Sequence, residues 1–202
     1  MNKYITEFIG TMFLVMGAAF WGPFGASISL MVMIYAGGHL SGAHYNPAVT
    51  VAVWMRGRIV MKDAIMYWIF QFAGAVAAGL IVSCVFKLEG SGACGIAAGD
   101  TTKGIVAELI GTFALAYVVL NVATAKGTSG NSFYGIAIGA TVLVMAMTVG
   151  KFSGGAFNPA VFVGLAIQKS MCWDNAWMYF VGTFGGAALA AFVFSLNNPE
   201  DK

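Results

Sequence analysis

Ser41-Gly42-Ala43-His44-Tyr45-Asn46-Pro47-Ala48-Val49 and Ser153-Gly154-Gly155-Ala156-Phe157-Asn158-Pro159-Ala160-Val161 are two copies of one nine-residue frame, 112 residues apart. In each, small residues lead into Asn, then Pro, then an apolar run. Proline suits the first position of a helix, because its missing N–H had no intrahelical partner there. Asparagine just before it occupies the N-cap, where free N–H groups and the positive end of the helix dipole lie. Both copies sit inside long apolar regions. Each therefore predicts a short helix beginning within a membrane, its amide donors turned toward whatever passes. Pro47 and Pro159 are two of only four prolines in the chain, so half of its prolines stand in this frame.

The surrounding composition agrees. Of 202 residues, 59% are hydrophobic and only 9% charged, against about 25% charged in soluble domains. This is the composition of an integral membrane protein, whose first partner is the lipid bilayer. A net charge of +2 is too small to suggest nucleic acid. Cys84, Cys94, Cys172 and the two histidines form no metal-ligand spacing, so neither metal nor cofactor is expected. Three cysteines argue against a complete disulfide framework. Cys94, in a polar loop, is expected as a free thiol, with a cross-link between chains as the alternative. The first residues, MNKYITEFIG, lack a cleavage pattern, and their helix carries Glu7, so they are read as a retained first span.

A spanning helix needs about 20 apolar residues. Tyr4–Phe20 is the first, closed by a turn at Gly22-Pro23-Phe24-Gly25. A shorter second span covers about Ala26–Gly38. His39–Tyr45 then forms a re-entrant loop and Asn46–Trp54 a half-helix. The third span is about Asp63–Phe86, followed by a polar segment over Lys87–Lys103. The fourth and fifth are Gly104–Thr124 and Ser132–Gly150. Lys151–Phe157 is a second re-entrant loop, Asn158–Gln168 its half-helix, and Trp173–Leu196 the sixth span.

Three spans and a half-helix thus occur twice, within a single transmembrane domain over 1–202 whose halves run about 1–90 and 104–196. Glu7-Phe8-Ile9-Gly10-Thr11 matches Glu108-Leu109-Ile110-Gly111-Thr112, and 67–74 match 179–186. An odd number of spans per repeat inverts the second half, which places a transit site near the midplane. Non-helical backbone at membrane depth survives only where protein buries it or water lines it. Two such loops predict a central aqueous path. With both termini inside, Lys3, Arg56, Arg58, Lys62, Lys126 and Lys202 face in, and Lys87, Lys103, Lys151 and Lys169 face out, the expected bias.

Asn46 and Asn158 are the leading functional residues, each amide able to donate to a passing oxygen. Two half-helix N-termini meeting at the centre repel cations. Glu7 and Glu108 hold equivalent places in the halves, and a carboxylate in a span is costly unless paired or functional. His39 and His44 read as structural. Helix-to-helix hydrogen bonds account for Gln71 and Asn121. Gly74, Ala78, Gly182 and Gly186 predict tight helix crossings.

The EFIGT, GHLSGAHYNPAVT and ELIGT stretches, at Glu7–Thr11, Gly38–Thr50 and Glu108–Thr112, resemble the major intrinsic proteins, the aquaporin and glycerol-facilitator family, and the resemblance covers nearly the whole chain. It implies an all-α, aquaporin-like membrane fold with six transmembrane helices and two re-entrant half-helices. It also implies a homotetramer with a pore in each chain, in the plasma membrane, with both termini cytoplasmic. The channel motifs fall on Asn46, Pro47, Ala48, Asn158, Pro159 and Ala160, and Glu7 and Glu108 support the loops. The family's selectivity filter maps onto Ala26, Ala146, Gly155 and Val161, and its usual Arg after the second motif is Val161. Arg offers fixed donors and a permanent charge. Its loss, with Ala and Gly in place of bulky residues, predicts a wide apolar filter passing water and small neutral solutes. Some bacterial members linked to metalloid handling are similar in carrying that Val, so the resemblance adds metalloid hydroxides to glycerol and urea as expected cargo. Phe24, Met147 or Phe157 turned inward would instead close the gap and leave a water-selective channel. A secondary transporter would need acidic ligands beside the motifs, and none is there. A purely structural membrane protein is the remaining competitor. An enzyme is disfavoured, with no nucleophile–base pair.

Overall fold

The computed structural model describes residues 1–90 and 100–201. The described residues form seven α-helices: α1 Asn2–Ser41, α2 Pro47–Met55, α3 Met61–Leu80, α4 Thr101–Val119, α5 Tyr134–Val149, α6 Pro159–Ile167 and α7 Ala176–Asn197. Five stretches are long and apolar enough to cross a membrane: Asn2–Ser41, Met61–Val85, Thr101–Thr124, Tyr134–Phe152 and Trp173–Asn197. The first is two limbs joined at a kink, giving six crossings. The α2 and α6 helices are nine residues each, about 13 Å long at 1.5 Å per residue, enough to reach from mid-bilayer to one surface.

The kink in α1 corrects the expected four-residue turn. Gly22 alone leaves helical geometry, at φ 59°, ψ −142°, a region open in practice only to glycine. Pro23, Phe24 and Gly25 already belong to the second limb, which proline begins as readily as any helix. The reversal is this tight because Gly17 and Gly25 touch backbone to backbone; a Cβ on Gly25 would fall on the Gly17 carbonyl. The second limb runs to Ser41, so it is longer than the sequence suggested. The third and fourth spans finish in π-helical turns, Ile81–Val85 and Leu120–Thr124.

In packing, α1 lies against α3 and α5, and α4 against α7 and α5. The expected close crossings involve Gly74, Gly182 and Gly186. A Cβ on Gly74 would meet the Phe8 carbonyl, and one on Gly186 the Leu109 carbonyl. Backbone cannot yield as a side chain can, and overpacking of this kind costs about 1–3 kcal/mol. Gly186→Ala is therefore expected to lower the melting temperature in detergent. Gly185→Ala is the control: its Cβ would lie 3.7 Å from a Leu109 methyl, and no loss is expected.

Beyond α7 the chain folds back on the end of α2. Asp201 accepts from the Lys126 amide at 2.7 Å and from the Arg56 and Arg58 guanidiniums at 2.8 and 3.4 Å. The Lys126 amide, with the neighbouring cations, holds the Asp201 carboxyl below its ordinary range. A depressed carboxylate stabilises the fold above its unfolded pKa and loses that contribution as pH falls through its folded value. The melting-temperature gap between wild type and Asp201→Asn should thus be open at neutral pH and close below about pH 4.

Cys172 is disulfide-bonded and Cys84 is a free, exposed thiol. Cys94, expected as a free thiol, lies outside the described residues.

Candidate functional site

Both re-entrant loops are held by a buried glutamate. Glu7 is fully buried and accepts on one oxygen from the Ser41 hydroxyl at 2.7 Å and the His44 amide at 3.0 Å. Its other oxygen accepts from the Tyr45 amide at 2.7 Å and Gln71 Nε2 at 2.8 Å. Glu108, equally buried, repeats the pattern with the Ser153 hydroxyl at 2.6 Å and the Ala156 and Phe157 amides at 3.0 and 2.7 Å. Tyr67 donates to the Ser41 carbonyl and Tyr179 to the Ser153 carbonyl. Neither carboxylate reaches water by a helix end.

These bonds hold backbone that would otherwise relax. Ala43, Tyr45 and Phe157 have φ of 51°, 48° and 49°, uncommon for residues with a Cβ and costing roughly 1–3 kcal/mol each. The aromatic rings then need room. A Cβ on Gly10 would fall into the Tyr45 ring, and one on Gly111 into the Phe157 ring. The repeated Glu-x-Ile-Gly-Thr is therefore one device. Its glutamate holds two loop amides and its glycine, three residues on, seats the loop's aromatic.

The two half-helices meet through their caps. Asn46 Oδ1 accepts from the Ala48 and Val49 amides at 2.8 and 3.4 Å, and Asn158 Oδ1 from those of Ala160 and Val161 at 2.9 and 3.4 Å. Each Nδ2 crosses to the other loop: Asn46 donates to the Phe157 carbonyl and Asn158 to the Tyr45 carbonyl, both at 2.9 Å. Each amide nitrogen carries two hydrogens, so one on each side remains for a solute. The sequence had indicated the donors but not this reciprocal lock.

Asn46 and Asn158 line one cavity with Ala26, Ala146, Gly155 and Val161. Its volume is about 80 Å³, room for a short file of waters at ~10–15 Å³ each. Its polar side chains are Asn46, Asn158 and His44, and no charged side chain among the described residues lines it. Gly22 and Pro23 of the α1 kink line it too. Phe24 and Met147, at 60% and 76% exposed, face outward, and Phe157 packs on Gly111; none of the three is a lining residue. A vestibule of about 500 Å³ adjoins, sharing His44 and Val119 with the cavity and lined also by Lys3, Arg58 and Asp63.

Three polar residues differ from their sequence reading. Gln71 donates to Glu7 and, at 3.0 Å, to Thr50 Oγ1, so it braces the first loop rather than merely joining helices. Its counterpart at the 112-residue offset, Thr183, bonds back to its own helix at Tyr179, leaving Glu108 with one donor fewer. Asn121 likewise bonds within its helix, to the Tyr117 carbonyl. His44, 3.1 Å from Thr50 Oγ1 through Nδ1, also borders the cavity, which a lone histidine in a sequence does not reveal.

A membrane bundle with two half-helices capped head to head beside an uncharged cavity has the architecture of a channel. The family model described as "Major intrinsic protein" matches residues 22–194. "Aquaporin NIP1-2" of Arabidopsis thaliana is 31% identical over 230 residues, covering 100% of this chain and 76% of that one. "Aquaporin TIP1-2" of Zea mays is 36% identical over 173 residues, covering 84% and 67%. Among solved structures, the aquaglyceroporin from Plasmodium falciparum superposes with a TM-score of 0.75 at 20% identity, over 98% of this chain and 97% of that one. This chain belongs to the major intrinsic protein family, whose members are membrane channels for water and small solutes and not enzymes.

Proposed function

We propose that this chain is a passive pore for water and for uncharged solutes of glycerol, urea or metalloid-hydroxide size. The observation that carries the reading is the lining: Ala26, Ala146, Gly155 and Val161 bound the same cavity as the two cap asparagines, with no charged side chain among them. In this reading those four residues are the selectivity filter. They set a width and offer apolar contact only. Asn46 and Asn158, each with Pro and Ala behind it in its motif, supply the central donors. An ion finds no compensating charge and meets two helix N-termini of the sign that repels cations. A file of waters oriented outward from those donors breaks the chain along which a proton would hop. Glu7 and Glu108 act as loop supports.

The same reading takes the chain as one channel domain with repeats about 1–90 and 104–196, assembled as a homotetramer. It sits in the plasma membrane with both termini in the cytoplasm. Stopped-flow light scattering of proteoliposomes under water, glycerol and urea gradients tests the filter. Entry of all three supports it; rapid water flow with no solute entry overturns it.

A further inference from the structure

Away from the pore, a cleft of about 320 Å³ opens where the end of α2 meets the end of α7, lined by Met55, Arg56, Arg58, Phe194, Asn198 and Asp201 among others. Its depth follows from helix length. Ten residue steps lead along α2 from its N-cap Asn46 to its C-cap Arg56, about 15 Å, and half a hydrocarbon core is also about 15 Å. With Asn46 at the midplane, Arg56 stands at the level of lipid phosphates. Trp54 and Met55 beside it and Leu196 on α7 are exposed apolar side chains, as a membrane boundary requires.

The Arg56 side chain is only 5% exposed. Its guanidinium lies 4.7 Å from the centre of the Phe194 ring and gives one bond to Asp201 at 2.8 Å. Its Nε–H is buried with no partner. A buried donor of a charged group left unmade is among the costlier defects a fold can carry, so this N–H calls for an acceptor in the cleft. Arg58, 42% exposed, approaches the same Asp201 oxygen at 3.4 Å. Two guanidiniums face a single carboxylate, so the cleft keeps a net positive charge. Asp201 already occupies part of it as a built-in anion.

We propose that this cleft binds the phosphate of an anionic phospholipid, with Arg56 Nε and the Arg58 guanidinium as donors and Asp201 as the carboxylate with which the phosphate competes. Arginine suits the task because its planar fork matches phosphate oxygens. The site is independent of the filter and of which solutes pass it.

The test is thermal unfolding of the purified full chain in detergent, titrated separately with phosphatidylglycerol, phosphatidylcholine and inorganic phosphate. Phosphatidylglycerol should raise the melting temperature at lower concentration than either of the others. Arg58→Gln should weaken that response about fivefold, and Asp201→Asn should strengthen it by a similar factor, each against its own lipid-free baseline. Arg56→Gln leaves Asp201 without its buried partner and risks misfolding, so Arg58→Gln carries the test. The proposal fails if phosphatidylglycerol acts no better than phosphatidylcholine, or if both variants respond as wild type. Inorganic phosphate matching phosphatidylglycerol at equal concentration would assign the cleft to free phosphate and overturn the lipid source.

Discussion

In Val161→Arg, glycerol and urea entry is expected to fall on the order of tenfold or more, the effect of ~1.4 kcal/mol added to the barrier, while water entry falls far less. Val161 is in the first turn of α6, its amide bonded to the Asn158 cap and its side chain on the cavity shared with Ala26, Ala146 and Gly155. An arginine there fills space that three small neighbours leave open, and it offers water fixed donors that compensate partly for the narrowing. Glycerol and urea, being wider, gain less and lose more. The measurement is the ratio of solute to water permeability in proteoliposomes, with the melting temperature followed in parallel, because a cation near a helix N-terminus is itself unfavourable. Val161→Leu, apolar and only slightly larger, is the companion variant and should retain solute entry. An equal fall for all three permeants in Val161→Arg would mean that residue 161 does not discriminate among them.

Removal of Glu7 is expected to be the most damaging single change. Glu7→Ala leaves the Ser41 hydroxyl, two loop amides and the Gln71 amide without their common acceptor; Glu7 is fully buried, and of the four donors only the Ser41 hydroxyl is partly open to the vestibule. Each buried donor left unpaired costs about 1–3 kcal/mol, so the three fully buried ones alone take a large part of the stability of a typical domain, ~5–15 kcal/mol. Ala43 and Tyr45, held at positive φ, would relax at the same time and take Asn46 out of register with the Phe157 carbonyl. Glu108→Ala orphans three donors rather than four, because Thr183 stands where Gln71 does in the first half. Its damage should be of the same kind and smaller. Melting temperature and folded yield in detergent rank the two variants. A Glu7→Ala protein that melts and conducts like wild type would remove the loop-holding role from the glutamates, and the reverse ranking would show that Gln71 does not add to it.

Much of this is legible in the sequence. The doubled Asn-Pro-Ala frame announces its own local geometry: proline at the first helical position and asparagine at the cap are short-range chemistry, and the caps formed on Asn46 and Asn158 as that chemistry requires. Helix boundaries were less legible. The turn expected over 22–25 shrank to Gly22 because two glycines on facing limbs let the backbones touch, a contact between residues eight apart that hydropathy does not encode. Gln71 reads from the sequence as generic glue between helices, since nothing near it in the chain shows that it reaches both Glu7 and Thr50.

The sequence by itself determined that this chain lives in a bilayer, that it is built twice over and inverted, and that two short capped helices begin inside the membrane. Those properties follow from apolar content, repeat spacing and the backbone preferences of Pro and Asn, all local in the chain. Tertiary structure alone decided that each cap asparagine donates to the opposite loop. It also decided that Gly10 and Gly111 exist to seat aromatic rings, and that four small residues from three helices and a loop face one uncharged cavity. These depend on which side chains meet across 35 to 113 residues of chain, and packing, not local preference, makes that choice.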